Sequence, residues 1–564
     1  MSEKEITIEI RNPELIILLI FSVIILALEL QITFTKPISF GDEGFHSYLA
    51  KLIGEQKNYF VWMPFEGTTL IHSGYTRPPL WNLLEASFIF IFGFNEIIIR
   101  FLTPFIVTLT SIAAYLLVKR VLNEKVAFIT SVILITLPSF VTYSVLFYTD
   151  ILFTFYATLT LLTFLLAEKE NSKKYFLLSG VFGALAFLTK LPGAGFYAFF
   201  ALVFLYELIK KRKLLMTIKK FFPLLIILLI IPAGFFLRSF YYYHSICIRI
   251  PFIGGFDTSG CSINNFESKY KFTGRTEQAG TEASVYKIGL MSYLDFAYGT
   301  LWFVPLGFIS GLIILLIKRE KLTNYLLLYL LLFFILFPAV VGRAEDTARY
   351  TLAWAPLIAL VTGRWYEEIY EFLKKNQKYL GIVILIFVLV FAYLNASEKL
   401  TTMSLVKQFS PTFFEACNWI KENTPENSSL YTVWAHRAVY NCQRNSVGTG
   451  TVPDLALSRD VDYTLQVAKE NGVTHFFIQK FSIDSSNRHL SEKYDLDWVQ
   501  FLESHPEAFV KVYDDKGWCT LRDPSGRIID QRLAGDIAEA LMLIQRGYYC
   551  DGNVVYWINT TGVV

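Results

Sequence analysis

Charge is what this chain has least of. Charged residues make up 18% of its 564 residues and hydrophobic residues 54%, with a mean hydropathy of +0.44. That much apolar surface exceeds what a soluble core covers, so the composition excludes a soluble globular protein and calls for many membrane spans. The net charge of +3 carries no message about partners, because the position of each Lys and Arg matters more than their sum. No nucleic-acid partner is expected. Cysteine is sparse: Cys247, Cys261, Cys417, Cys442, Cys519 and Cys550 are all there is, and their spacing is not that of a metal site. No cleavage site of small residues follows the first apolar segment, 13–33, so that segment is expected to stay as a span. No internal repeat is present either, which weighs against the doubled halves of many transporters.

Hydropathy places spans near 13–33, 97–118, 125–143, 149–167, 174–190, 192–209, 221–243, 295–317, 322–341, 351–366 and 379–395, about eleven in all. Residues 79–92 are apolar but short. Pro78 and Pro79 open them, Leu80, Leu83, Leu84, Phe88 and Ile91 form a helical stripe, and Gly93 closes them, which predicts a surface helix. Alternate loops carry the positive charge: Lys119, Arg120 and Lys125; Lys169, Lys173 and Lys174; Lys210, Lys211, Arg212, Lys213, Lys219 and Lys220; Lys318, Arg319 and Lys321; Lys374, Lys375 and Lys378. The other connections hold almost only Lys190, Arg343 and Arg349. This asymmetry predicts a multi-pass plasma-membrane protein with a cytoplasmic N-terminus. All six cysteines then fall outside, where disulfides persist; sequence order favours Cys247 with Cys261, Cys417 with Cys442 and Cys519 with Cys550, without deciding the connectivity.

Two further segments lie on the outer side. The polar loop 244–292, with Asp257, Glu267, Arg275, Glu277 and Glu282, reads equally well as a lid over a site or as a disulfide-tied connector. After residue 396 the composition becomes that of a soluble domain. Helices are predicted over 413–423 and 463–471 and strands over 429–434 and 473–479, with a hairpin formed by 509–514 and 517–522 around Asp-Asp-Lys-Gly. The expected architecture is therefore a polytopic α-helical membrane part, 1–395, and an extracytoplasmic α/β domain, 396–564. Asn395, Asn427 and Asn559 stand in Asn-X-Ser/Thr triplets on that side.

The chemistry is expected just beyond the first span. Residues 36–50 carry adjacent carboxylates, Asp42 and Glu43, at the membrane boundary, with Asp42 placed to cap a surface helix whose Phe45, Leu49, Leu52 and Ile53 recur at helical spacing. A capped amphipathic helix is the bland account of this stretch. Against it stand the charges at the outer ends of spans, Asp150, Lys190, Arg238, Arg343 and Arg349, with Arg77 leading into the second surface helix. Charges at membrane depth are rare and usually functional, although each cation taken singly also fits snorkelling to the interface. Carboxylates at one point and cations at another suit a substrate that offers a nucleophile to deprotonate and a phosphate to hold.

Several motifs occur in an order that resembles a known family: Gly41-Asp42-Glu43-Gly44-Phe45-His46, Arg77-Pro78-Pro79-Leu80-Trp81, Phe92-Gly93-Phe94-Asn95-Glu96 with Arg100, Tyr148-Thr149-Asp150, Thr189-Lys190-Leu191-Pro192-Gly193 and Ala348-Arg349-Tyr350. The set is similar to GT-C glycosyltransferases, in the branch of the dolichyl-phosphate-mannose protein mannosyltransferases and the lipid A aminoarabinose transferase. The resemblance implies a polyprenyl-phosphate-linked sugar as donor and a glycan, lipid or protein acceptor at the outer face. It makes Asp42 the base, with Glu43 beside it, and Arg77, Lys190, Arg349 and Arg343 the cations on the donor phosphate. It puts His46, Asp150 and Tyr350 around the substrate. No cofactor is required, while a divalent metal between Glu43 and Asp150 is compatible with the pattern. The Trp-Trp-Asp motif of oligosaccharyltransferases is absent, which speaks against transfer of a whole glycan to Asn. The competing class is a transporter or flippase of a lipid-linked substrate, which would place its charges near mid-membrane.

Overall fold

The computed structural model describes residues 13–35, 38, 41–56, 78–243, 303–318, 322–336, 351–376, 380–405, 411–432, 435–448, 452, 454–479, 498–515, 517–522, 528–534, 542–543 and 549–560. Helix α1 (Pro13–Thr35) shows how the membrane part is built: Leu18, Phe21, Ser22, Ile25, Glu29 and Ile32 form its buried face at helical spacing, while Ile16, Ile20 and Val23 face outward. An outward apolar face is stable only against lipid. Helix α2 (Gly41–Gln56) and helix α3 (Leu80–Phe92) pack side by side, and α4 (Glu96–Val121) follows, capped by the Asn95 side chain on the Ile97 N–H. Helices α5 (Glu124–Thr136) and α6 (Pro138–Ser144) meet at a 56° bend, because Pro138 has no N–H to continue the first ladder and starts the second.

Helix α7 (Thr149–Glu170) is the most enclosed of the candidate spans, and Thr154, Thr158, Thr160 and Thr163 return their hydroxyls to the carbonyl four residues earlier. Helix α8 (Lys173–Thr189) lies on α7 and on α10 (Leu214–Tyr243), with α9 (Gly195–Lys211) between them in sequence. The membrane part ends with α11 (Phe303–Lys318), α12 (Thr323–Tyr329, continued as a π-helix to Leu336), α13 (Ala355–Asn376) and α14 (Leu380–Leu405). A helix therefore stands in the described part of every expected span. Among the described residues five are long and apolar enough to cross a membrane, or six if the bent pair counts as one span.

Helix α14 runs unbroken through 395 and 396. Beyond it come α15 (Pro411–Asn423), β1 (Ser429–Thr432), α16 (Ala435–Cys442), β2 (Asn445–Gly448), α17 (Asp454–Leu457), α18 (Val461–Glu470) and β3 (His475–Gln479), then β4 (Phe509–Asp514), β5 (Gly517–Arg522), β6 (Ile528–Ala534), β7 (Tyr549–Asp551) and β8 (Asn553–Ile558). The main sheet has the order β2-β1-β3-β8-β4, parallel among β2, β1 and β3 and antiparallel on both sides of β8.

Three expectations need correction. Strands β4 and β5 do not form a hairpin; β4 pairs with β8, and β5 joins a separate sheet of order β6-β5-β7. The turn residue Asp515 exchanges hydrogen bonds with Asn553, its N–H donating to the carbonyl at 3.1 Å and its Oδ1 accepting the N–H at 2.7 Å, so β8 takes the place beside β4. On α3 the buried face is Trp81, Asn82, Glu85, Ala86 and Ile89, while the apolar stripe of Leu80, Leu83, Leu84, Phe88 and Ile91 is half-buried or exposed. Asn395 is buried, with its amide donating to the Thr136 carbonyl at 3.2 Å, so it presents no glycosylation site. Helix α2 already begins at Gly41, which puts Asp42 inside the first turn rather than at the cap.

Of the cysteine pairings, Cys417–Cys442 is formed and joins α15 to α16. Cys519 is also disulfide-bonded, and its register partner across β5 and β7 is Cys550. Cys247, Cys261 and the loop 244–292 lie outside the described residues.

Candidate active site

The first turn of α2 faces the turn between α6 and α7. Glu43 is buried, and its Oε1 accepts the Phe147 N–H at 2.7 Å, a bond that spans 104 residues of sequence. Trp81 of α3 packs its ring on Phe147 with centroids 5.3 Å apart, closing the same turn from the other side. One helical turn after Asp42, His46 Nδ1 lies 2.6 Å from Asn82 Oδ1 in a buried contact. An amide oxygen only accepts, so in this orientation Nδ1 is the donor of the pair.

Three residues past Phe147, at the start of α7, Asp150 is buried and forms an ion pair with Lys190. Lys190 follows α8 directly in extended conformation, its N–H donating to the Ala186 carbonyl and its carbonyl accepting the Gly193 N–H at 2.8 Å. Gly193 is the residue that makes this turn possible: a Cβ there would stand 2.3 Å from the Phe187 backbone nitrogen. The sequence Thr-Lys-Leu-Pro-Gly thus delivers an ammonium to the end of α7 and turns back at once.

A second layer stands behind Glu43. The buried Arg100 of α4 interacts electrostatically with Glu43, Glu96 and Tyr440, and its Nη1 lies 3.4 Å from Glu96 Oε1. Glu43 thus reaches Phe147, three residues before the Asp150–Lys190 pair, while His46 turns to Asn82 of α3. Asp42 is placed by its backbone only, and Arg77, Arg343, Arg349 and Tyr350, like the Asp42 and Arg238 side chains, lie outside the described residues. Sequence reasoning gave no role to Asn82, Glu96, Arg100 or Tyr440. A cation four residues after Glu96, at the start of an apolar helix, was the available signal. Among the described residues no group of three or more His, Cys, Asp or Glu converges as a metal site.

A family model described as dolichyl-phosphate-mannose-protein mannosyltransferase matches residues 76–236, the region from the lead-in to α3 through most of α10. The Archaeoglobus fulgidus oligosaccharyltransferase, in its complex with Zn and sulfate, superposes with a TM-score of 0.59 at 15% identity over 91% of this chain and 73% of its own. ArnT from Cupriavidus metallidurans bound to undecaprenyl phosphate superposes with a TM-score of 0.57 at 11% identity, over 82% of this chain and 92% of its own. The chain has the GT-C glycosyltransferase fold. An uncharacterized protein of Aquifex aeolicus is 32% identical over 181 residues, a match that covers 28% of this chain and 36% of that relative's length. With the GT-C fold and its apolar helices, this is a multi-pass membrane protein.

Proposed function

We propose that this GT-C chain transfers a sugar from a polyprenyl-phosphate carrier to a hydroxyl of an acceptor at the outer face of the membrane, with inversion at the anomeric carbon. The supporting observation is the bond from Glu43, next to Asp42 in the first turn of α2, to Phe147, three residues before the Asp150–Lys190 pair. In this reading Asp42 takes the proton of the acceptor hydroxyl as its oxygen bonds to the anomeric carbon. The bond from that carbon to the phosphate oxygen breaks on the opposite side, and the electron pair leaves with the polyprenyl phosphate. A carboxylate of ordinary pKa is already ionised at neutral pH, and it becomes the proton's destination as charge develops on the hydroxyl.

A phosphate leaving group needs cations more than it needs an acid. In this reading Lys190 serves as one such cation, with Arg77, Arg349 and Arg343 assigned the same task from sequence. His46 and Asp150 border the sugar, Tyr350 is assigned beside them from sequence, and no step runs through a metal. Two parts, 1–395 and 396–564, divide the work between transfer and an outer domain. The disulfides at Cys417–Cys442 and Cys519 support the extracytoplasmic placement of the second. The test is transfer from a synthetic polyprenyl-phosphate sugar by the full chain in liposomes, compared with Asp42→Asn. Loss of transfer with an unchanged thermal midpoint is expected, and near-normal turnover in the variant removes Asp42 from the chemistry.

A further inference from the structure

Among the described residues, the outer domain meets the membrane part in a chemically specific contact. Ile38, three residues before α2, is buried and held at both of its backbone polar groups: its N–H donates to Glu96 Oε1 at 3.2 Å, and its carbonyl accepts from Asn441 Nδ2 at 3.4 Å. The other oxygen of Glu96 accepts the Tyr440 hydroxyl at 3.2 Å. Tyr440 and Asn441 are consecutive on α16, which packs on α2. The Tyr440 ring stands edge-on to Phe94 with centroids 6.4 Å apart, and Lys51 of α2 sits 4.9 Å above that Phe94 ring.

We propose that Tyr440 and Asn441 of the outer domain are positioning residues that fix the lead-in to α2 and thereby the carboxylates of its first turn. This rests on the transferase reading given above. The contact is built to be stiff. Asn441 satisfies its second amide hydrogen on the Arg437 carbonyl at 3.0 Å, and the next residue, Cys442, is bonded to Cys417 of α15. Just beyond α16, Arg444 is buried and spends its donors on Thr424 Oγ1 and on the Lys421 and Thr424 carbonyls, tying the end of α15 to the same turn. Burial and the Glu96 carboxylate push the Tyr440 phenol above its ordinary value, so it stays a donor. Through Glu96 and Arg100 the same cluster reaches Glu43 electrostatically. The outer domain thus completes the transfer site from behind, whatever else its own surfaces bind.

The test uses the full chain with Tyr440→Phe, which removes one hydroxyl, and with Tyr440→Phe combined with Asn441→Ala. Amide exchange over 38–46 is expected to quicken by about tenfold in the double variant, as a local opening loses its restraint, while α15 peptides and the thermal midpoint stay as in the wild type. Turnover is expected to fall about ten- to a hundredfold with donor KM unchanged, because the base is displaced rather than the phosphate released. Unchanged exchange over 38–46 overturns the proposal, as does faster exchange with unchanged turnover. A wild type inactive on every polyprenyl-phosphate sugar overturns the transferase reading instead, and the exchange measurement still decides whether α16 holds α2.

Discussion

Replacing Lys190 by Met removes the ammonium and keeps most of the aliphatic stem, and two separate effects follow. Asp150 is 1% exposed and Lys190 17%, so the change takes the ammonium away from a carboxylate that solvent does not reach. Breaking a buried pair from one side costs about 3–5 kcal/mol, and the partial exposure of Lys190 puts the expectation at the low end. Asp150→Asn in the same chain removes that carboxylate's charge and is expected to restore most of the loss, since neutralising both partners of a buried pair is often near neutral. Donor binding behaves differently. A hydrogen bond to a charged group contributes about 1.5–3 kcal/mol, so losing it from the phosphate raises donor KM by about ten- to a hundredfold. The double variant is therefore expected to recover its thermal midpoint and keep the raised KM. Thermal unfolding of the detergent-solubilised chain by tryptophan fluorescence and transfer kinetics against donor concentration measure the two quantities. An unchanged midpoint in Lys190→Met refutes the buried pair, and a wild-type KM in the double variant refutes the grip on phosphate.

Three other substitutions probe the surroundings. Asn82→Leu leaves the buried His46 Nδ1–H without its acceptor and is expected to cost about 1–3 kcal/mol by thermal unfolding; no change would mean that the ring finds another partner at no cost. At Gly311 of α11 a Cβ would stand 2.3 Å from the Val361 carbonyl oxygen of α13, so Gly311→Ala must push two helices apart, with an expected loss of about 1–3 kcal/mol that a wild-type midpoint would contradict. On β3, burial and then the Arg444 guanidinium lower the His475 imidazole from 6.5 to about 4. Between those values the unfolded chain binds a proton that the folded chain refuses, so stability is whole above pH 6.5 and declines as pH falls toward 4. His475→Gln is expected to flatten that decline in denaturant titrations of the full chain, and an identical pH profile would remove His475 as its source.

The positions of the helices were legible because each is written locally, in apolar length and in punctuation. Gly93 marks the end of α3 and Lys190-Leu-Pro-Gly the reversal after α8, whereas Pro138 breaks the span read over 125–143 into two helices. Which face a helix buries was less so. Apolar residues also turn outward where lipid replaces water, so the stripe on α3 did not reveal that Asn82 and Glu85 stand on the inner face. The β4–β5 hairpin failed because pairing is a competition, and β8, distant in sequence, won β4 through Asp515 and Asn553. In the site, Glu43, His46, Asp150 and Lys190 carried signals of their own, an ionisable group at the end of an apolar run. Their partners did not. Tyr440 looks like an ordinary residue of a soluble helix, and its bond to Glu96 closes across 344 positions that no local pattern connects.

Helix α14 is a shaft with no joint where the apolar chain gives way to the polar one. Each residue inserted into such a shaft turns everything downstream by about 100° and lifts it by about 1.5 Å. A single insertion near Ser397 would carry Leu405, where the helix ends, about 100° around the axis, whereas seven residues, close to two turns, would restore its direction about 10 Å higher. The length of α14 is in this sense a ruler that sets where and in which direction the chain leaves the helix.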